Sequence, residues 1–152
     1  MSALKARIAD DMKAALLGRH RFRGDALRNL KAAILNEEVS LGKRDEGLND
    51  TEVEKVIARE VKKRKESAEL YRANGRAELA EPEEQEAAIL QEFLPKQLSE
   101  DEIRAMVEAA VVDLGATMQQ MGQVIGAVKT KAGNAADGAL IAKITKETLA
   151  KQ

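Results

Sequence analysis

Apolar residues recur at every third or fourth position along almost the whole chain, and this spacing constrains the fold more than any other feature. The first segment shows it clearly, because Leu4, Ile8 and Met12 follow one another at four-residue steps. A strand would instead place apolar residues at every second position. The chain has only two prolines and is rich in Ala, Leu, Glu and Lys, which favour helices. The sequence therefore predicts an all-α protein.

Capping and helix-breaking residues divide this pattern into seven predicted helices. Gly18 ends the first helix, and Asp25 is expected to cap the second after the basic link "RHRFRG". Asn49 and Glu52 have the spacing of a capping box, as do Ser99 and Glu102. The predicted helices cover about residues 2–17, 25–41, 50–74, 77–94, 100–114, 117–131 and 138–150.

Two prolines mark the middle of the chain. Pro82 lies in the first turns of the fourth helix. It predicts either a kink there or a short turn followed by a helix with Pro82 near its start. Pro95 ends that helix, and the segment to Gln97 has the character of a linker. We therefore expect a four-helix N-terminal domain over residues 1–95 and a three-helix C-terminal domain over residues 96–152.

The net charge of −1 conceals blocks of opposite sign. Residues 1–31 and 55–76 each hold eight basic and three acidic side chains, whereas residues 77–92 hold six glutamates and no basic residue. Residues 99–113 hold five acids and one arginine, and residues 114–152 hold five lysines and two acids. These blocks can neutralise one another within the protein, or the basic ones can form a surface for a polyanion.

The residue inventory excludes most catalytic sites. The chain has no cysteine, so a thiolate nucleophile is ruled out, and with His20 as its only histidine a two-histidine metal site is ruled out as well. His20 lies among three arginines in "GRHRFRG", which favours a solvated loop residue over a member of a catalytic triad. The glutamates at 81, 83, 84 and 86 open a helix, where acids favour the helix dipole, and no nucleotide phosphate loop is present. We expect no catalytic residue, metal or cofactor.

No apolar run reaches the roughly 18 residues of a membrane span, and the N-terminus lacks the apolar core of a signal peptide. These features predict a cytoplasmic protein that does not enter a membrane.

Two stretches remain as candidate binding sites. The first is the basic helix around "REVKKRKESAELYRANGR", which places cations on one face and along its flanks. A solvated helix face is the alternative interpretation. The candidate phosphate ligands in this stretch are Arg59, Lys62, Lys63 and Lys65, with Lys55, Arg72 and Arg76 beside them.

The second stretch is "GQVIGAVKTKAGNAADGALIA". Gly122 and Gly126 share a helix face, where missing side chains suit close packing against another helix. Lys129 and Lys131 lie in the last turn of that helix. Gly133 and Asn134 suit positive φ in the turn that follows, and Asp137 and Gly138 begin the last helix, whose free N–H groups can meet a phosphate. Asp137 as N-cap would compete for those donors.

Taken together, these segments resemble a known family. The stretch "MGQVIGAVKTKAGNAADGALIAKITKETL" is similar to the tail of the GatB subunit of the glutamine-dependent aspartyl/glutamyl-tRNA amidotransferase. The upstream stretch "REVKKRKESAELYRANGRAELAEPEEQEAAILQEFLPKQLSEDEI" resembles the stand-alone bacterial YqeY-like proteins. The resemblance covers almost the full chain. It points to Gly122, Gly126, Lys129, Lys131, Gly133, Ala136, Asp137 and Gly138, although GatB tends toward Ala-Asn-Pro where this chain has Ala-Asp-Gly.

The resemblance implies a non-catalytic helical module that binds the outer body of tRNA, beside an amidotransferase or another tRNA-handling protein. The family association is with carbon–nitrogen ligases that use glutamine as the amide donor. With only Phe22, Tyr71 and Phe93 as aromatic residues, the chain has no platform for stacking single-stranded bases, so we expect it to bind a folded RNA. The alternative is a protein–protein adaptor that docks a tRNA-handling partner.

Overall fold

The computed structural model describes residues 2–152, and within this range all regular secondary structure is helical, without strands. The all-α prediction is confirmed. The helices are α1 (Ala3–Leu17), α2 (Arg21–Ser40), α3 (Asp50–Ala73), α4 (Ala77–Gln91), α5 (Glu100–Leu114), α6 (Met121–Ala132) and α7 (Gly138–Ala150). Short 3₁₀ turns occupy Met118–Gln120 and Gly133–Ala135. The chain divides into one unit that ends at Leu94 and a second unit over Pro95–Gln152.

The N-terminal unit consists of α1 to α4 around an aliphatic core. The Asn49 side chain accepts a hydrogen bond from the Glu52 amide at 2.9 Å, and the Glu52 carboxylate accepts one from the Asn49 amide at 3.1 Å, so the predicted capping box starts α3. Phe93 is the buried ring of this core, with the Arg7 guanidinium 4.7 Å from its centroid. The core residues are Ile8, Leu27, Leu30, Ile34, Leu48, Val53, Val56, Ile57, Val61, Ala87, Leu90 and Phe93.

The predicted start of α2 is wrong. The helix begins at Arg21, one turn before Asp25, and Gly24 is a buried residue inside it. A Cβ atom at Gly24 would lie 2.5 Å from Leu16 Cδ2, so the missing side chain leaves the space in which α1 packs on α2. This contact between helices stabilises a first turn that contains a glycine, which disfavours a helix.

In α4, Pro82 occupies the sixth helical position, so the alternative of a short turn followed by a helix with Pro82 near its start is wrong. The helix also ends at Gln91, three residues before the predicted end. After Gln91 the backbone forms hydrogen bonds to the residue three positions earlier, as in a 3₁₀ turn. The Phe93 amide donates to the Leu90 carbonyl and the Leu94 amide to the Gln91 carbonyl, both at 3.1 Å.

The C-terminal unit packs α5, α6 and α7 around a second aliphatic core. Ser99 and Glu102 form the predicted capping box, and Gly115 ends α5 in the left-handed conformation at φ 57°. The predicted sixth helix starts too early, because a 3₁₀ turn precedes α6 and the Thr117 amide donates to Gln120 Oε1 at 2.8 Å. The core residues are Ile103, Val107, Val111, Ala116, Val124, Val128, Ile141, Ile144 and Leu149.

Candidate nucleic-acid interface

The arginines on the basic helix α3 are largely engaged with acids of the same unit. Arg59 donates to Glu37 of α2 at 3.0 Å. Arg72 makes two hydrogen bonds to Glu84 of α4, at 2.6 and 2.9 Å. These bonds raise the pKa of Arg72 and lower the pKa of Glu84, as expected for a charge-assisted pair.

Arg76 and Arg64 are also paired. Arg76 donates to Glu78 at 2.6 Å. The Arg64 side chain, only 12% exposed, donates to Glu86 at 3.0 Å and lies 3.8 Å from Glu60. Sequence reasoning did not single out Arg64, although its three-residue offset from Val61 places it beside the buried face of α3. Intramolecular charge matching therefore accounts for the arginines of α3, for Arg76 and for three of the glutamates that follow.

The lysines of α3 differ from its arginines. Lys62, Lys63 and Lys65 are all exposed. Within residues 2–152, Lys63 and Lys65 have no carboxylate oxygen within the 4 Å of an ion pair, whereas Lys62 does make a polar contact. The predicted phosphate site on α3 thus retains Lys63 and Lys65 and loses Arg59 to Glu37.

The turn between α6 and α7 is held in place by one backbone and one side-chain hydrogen bond from the start of the C-terminal unit. Gly133 adopts φ 56°, as predicted, whereas Asn134 lies in the 3₁₀ turn and lacks the predicted positive φ. The Leu98 amide donates to the Ala135 carbonyl at 2.8 Å, and Gln97 Nε2 donates to the Asn134 carbonyl at 3.1 Å. These bonds fix the turn relative to the segment that leads into α5.

The structure brings Lys129 to the beginning of α7. A Cβ atom at Gly138 would lie 2.9 Å from Lys129 Cε and 3.2 Å from Lys129 Nζ, so the lysine side chain occupies the space that glycine leaves. Asp137 is the N-cap of α7 and accepts a hydrogen bond from the Ala139 amide at 3.3 Å, as predicted. An ammonium group beside a helix N-terminus adds positive charge to positive partial charge, which the Asp137 carboxylate offsets in part and a bound anion would offset further.

Lys131 lies apart from this arrangement. Residues two apart on a helix point to different sides, and Lys131 lines a shallow groove between α5 and α6 together with Asp113 and Leu114. The structure therefore brings together Lys129, Asp137 and Gly138 of the predicted site, and it places Lys131 on a neighbouring surface.

Gly122 and Gly126 face open space. A Cβ atom at either position would meet no heavy atom within 4 Å, so the predicted close packing against a neighbouring helix is not found in residues 2–152. Steps of four and three residues place Gly122, Gly126 and Lys129 on the same side of α6. The glycines therefore leave the helix backbone bare on the side where Lys129 lies.

Neither a membrane-spanning helix nor a metal-binding cluster is found among the residues that the structure describes. None of the described helices has the length and apolar character needed to cross a bilayer. Among the described residues, no group of three His, Cys, Asp or Glu side chains is placed to hold a metal ion. Two glutamates of the acidic run, Glu84 and Glu86, are instead bonded to arginines of α3.

Comparison with known proteins gives two matches. The model of the family described as "Yqey-like protein" matches residues 5–149. A curated relative, "Altered inheritance of mitochondria protein 41, mitochondrial" of Lachancea thermotolerans, is 29% identical over 111 residues. The match covers 72% of this chain and 58% of that relative, so the chain spans less than two thirds of the relative's length.

Proposed function

This chain belongs to the YqeY-like protein family, and we propose that it acts as a non-catalytic module that binds the exterior of a folded tRNA. The observation that carries the proposal is the Lys129 side chain over the first residue of α7. Within residues 2–152 this amine has no ion-pair partner, and it lies on the glycine-bared side of α6. A phosphate here would accept hydrogen bonds from Lys129, and it would reach the N–H groups of α7 by displacing the Asp137 carboxylate.

The glycines add access for a polyanion. Because neither Gly122 nor Gly126 carries a side chain, a ribose–phosphate strand can approach the α6 backbone closely on its way to Lys129. Lys131 is exposed on a neighbouring surface of the same unit and adds positive charge. Binding of this kind releases counterions and weakens steeply as salt rises.

The aromatic residues favour a folded RNA over a single strand. Phe93 is buried in the N-terminal core and Tyr71 is half-buried, so no row of rings is available for stacking successive bases. A compact RNA instead presents phosphates at fixed positions, which suits amines held on rigid helices.

A gel-shift or fluorescence titration with tRNA at about 50 mM salt, where phosphate contacts are strong, tests the proposal. Replacing Lys129 and Lys131 by Ala should weaken binding about ten-fold or more. The slope of log affinity against log salt should become shallower by about 0.7–0.9 for each phosphate that the variant no longer neutralises.

The matched control is Lys143→Ala with Lys146→Ala, which removes two exposed amines of α7 in the same unit. Equal losses of affinity in both double variants, or no tRNA binding by the unaltered protein, would contradict the proposal.

The proposal assigns no bond-making step to this chain, and any amide transfer to tRNA would belong to a partner enzyme. Release of ammonia from glutamine by the purified protein would overturn this assignment. We also propose a cytoplasmic location, which cell fractionation tests.

A protein–protein adaptor is the second candidate function, favoured by exposed apolar side chains at the end of α5. Val112 is 79% exposed and Leu114 is 47% exposed, and Met118 in the following turn is 44% exposed. An adaptor would bury these residues against a tRNA-handling partner. A pull-down with this protein as bait tests the adaptor function. Recovery of one partner protein in stoichiometric amount, which persists after ribonuclease treatment and is lost with Leu114→Glu as bait, would favour it.

A further inference from the structure

The turn between α1 and α2 contains the one described non-glycine residue with a positive φ, Arg19 at 63°. The turn is a Schellman motif, because the His20 amide donates to the Ala15 carbonyl at 2.8 Å and the Arg19 amide to the Leu16 carbonyl at 3.3 Å. Glycine is the favoured residue at the left-handed position of this motif. Here the glycine, Gly18, stands one position earlier, and an arginine occupies the position that suits glycine.

A non-glycine residue in this backbone conformation destabilises the folded state, so a compensating contact is expected. No contact within the described residues accounts for Arg19. Its side chain is exposed, and it has no ion-pair partner within residues 2–152. The same holds for Arg21, whereas nearby Arg23 lies 2.6 Å from Glu92 and 3.7 Å from Asp11. Two arginines of the turn are therefore available to a ligand.

Exposed apolar side chains accompany these arginines. Leu17 is 77% exposed, and Phe22 is 44% exposed in the first turn of α2. Phe22 is the most exposed of the three aromatic residues, since Phe93 is buried and Tyr71 half-buried. The turn thus presents a single exposed ring among arginines, which is the combination that binds an unpaired base and its flanking phosphates.

The backbone of the turn is held by packing as well as by hydrogen bonds. Leu16 packs into the space left by Gly24, and a Cβ atom at Gly18 would lie 3.1 Å from His20 Cδ2, so the imidazole covers that glycine. Together with the Schellman hydrogen bonds, these contacts fix the backbone positions from which the exposed side chains project.

We propose that the turn formed by residues 17–22 is a second RNA contact, in which Phe22 stacks on one unpaired base while Arg19 and Arg21 bind the adjoining phosphates. The inference rests on the proposed function for the identity of its partner as an RNA. It adds recognition of an unpaired nucleotide to the phosphate binding proposed for the C-terminal unit.

An anionic membrane surface is the competing ligand for a basic turn with apolar side chains. Helices that lie on membranes need a continuous apolar face. The apolar faces of α1 and α2 are instead buried in the core through residues such as Ile8, Leu27 and Leu30. Only the tip of the hairpin is left, which fits one base better than a lipid surface.

The test compares tRNA with a fully paired RNA duplex of similar length, using the full chain. Phe22→Ala should weaken tRNA binding about five-fold or more, which corresponds to the lower end of base–aromatic stacking, and should leave duplex binding unchanged. Leu35→Ala is the matched control, because Leu35 is 46% exposed and lies elsewhere on α2. It should bind both RNAs as the unaltered protein does.

Arg19→Gly separates function from folding. Glycine suits the left-handed position, so the unfolding midpoint should not fall, while tRNA affinity should fall several-fold. Arg21→Ala should lower the affinity to a similar extent.

The outcomes distinguish the two proposals. If the unaltered protein binds tRNA and Phe22→Ala and Arg19→Gly bind it equally well, the second contact is wrong and the proposed function stands. If the unaltered protein fails to bind tRNA, both fail. If vesicles containing about 30% phosphatidylserine bind the unaltered protein but not Phe22→Ala, and tRNA binding is unaffected, the turn is a membrane contact and this inference is overturned.

Discussion

The two units of this protein use similar helices and similar aliphatic cores, but they use their charged side chains differently. In the N-terminal unit, ion pairs join one helix to another, as between Arg59 and Glu37, Arg64 and Glu86, and Arg72 and Glu84. In the described part of the C-terminal unit, Arg104 makes the ion pairs, at 3.3 Å to Asp101 and 3.9 Å to Glu147. The lysines of α6 and α7 have no such partners there.

This difference shows why the net charge of a segment is a poor guide to its ligands. Residues 55–76 carry a net charge of +5 (eight basic minus three acidic), and residues 114–152 carry +3 (five minus two). The more basic segment has its arginines neutralised by α2 and α4, whereas the less basic one leaves its amines exposed. A phosphate site depends on cations that lack a nearby carboxylate, which only the three-dimensional structure reveals.

The largest expected effects come from substitutions in the two cores, where we expect the two units to lose similar amounts of unfolding free energy. Leu27 in the first core and Ile144 in the second are 0% and 1% exposed. Leu27→Ala and Ile144→Ala should each reduce the free energy of unfolding of their own unit by about 2–5 kcal/mol, because each leaves a cavity. Chemical denaturation, with amide hydrogen exchange to assign the affected helices, measures this. A cost below about 1 kcal/mol for either variant would show that the units differ in core packing as well as in charge.

The next effect tests whether charge contributes to folding in the N-terminal unit. The Glu38 side chain is 2% exposed, and its carboxylate accepts hydrogen bonds from Lys5 Nζ at 2.7 Å and from the Leu48 amide at 3.0 Å. Burial by itself raises the pKa of Glu38, but these two donors and the Lys5 charge lower it below the ordinary 4.5. Glu38→Gln should cost about 1–2 kcal/mol, the lower part of the range for charged hydrogen bonds, because Lys5 retains access to water.

The pH dependence of that cost has a defined sign. Because the folded-state pKa of Glu38 is lowered, its contribution is complete above pH 4.5 and is lost as the pH falls below this value. The difference in unfolding free energy between the unaltered protein and Glu38→Gln should therefore shrink below pH 4.5. A difference that stays constant from pH 7 to pH 3 would mean that the carboxylate charge does not stabilise the unit.

A smaller effect of opposite sign is expected on the glycine-bared side of α6. Gly122→Ala and Gly126→Ala each place a methyl group in open space and improve helix propensity, so each should stabilise the protein by about 0.5–1 kcal/mol. The same methyl groups should weaken tRNA binding by hindering close approach to the backbone. Gly115→Ala is the control, since its φ of 57° makes the substitution destabilising. Stabilised variants with unchanged tRNA affinity would show that RNA does not approach this side.

The sequence predicted those features that depend on residues close together in the chain. The capping boxes of Asn49 and Ser99 and the N-cap of Asp137 each rest on a hydrogen bond across two or three residues, and all three are found. The start of α2 was missed because Leu16 and Gly24 belong to different helices, so only their packing reveals the extra turn.

The candidate site was predictable in part. Its residues could be named from the sequence, but the pairing of Arg59 with Glu37 depends on how α2 and α3 pack. The contact of Lys129 with Gly138 likewise depends on the path of the intervening turn. The separation of Lys129 from Lys131, by contrast, follows from helical geometry alone and was open to prediction. Buried Glu38 gave no local signal, because its partners lie at positions 5 and 48.

The smallest expected change in stability tests the most specific claim about the C-terminal unit. Gly138→Ala brings a methyl group within 2.9 Å of Lys129 Cε, but that atom is near the end of a flexible side chain and can move aside. The unfolding free energy should therefore change by less than about 0.5 kcal/mol, as for ordinary surface substitutions. The displaced amine would no longer lie over the start of α7, so tRNA affinity should fall about as far as it does in Lys129→Ala.

In a double-mutant cycle, Gly138→Ala should have no further effect once Lys129 is already Ala, because both changes remove the same interaction. Additive decreases in affinity would mean that the two residues act independently. The phosphate ligands would then have to be sought elsewhere, for example at Lys63 and Lys65 of α3.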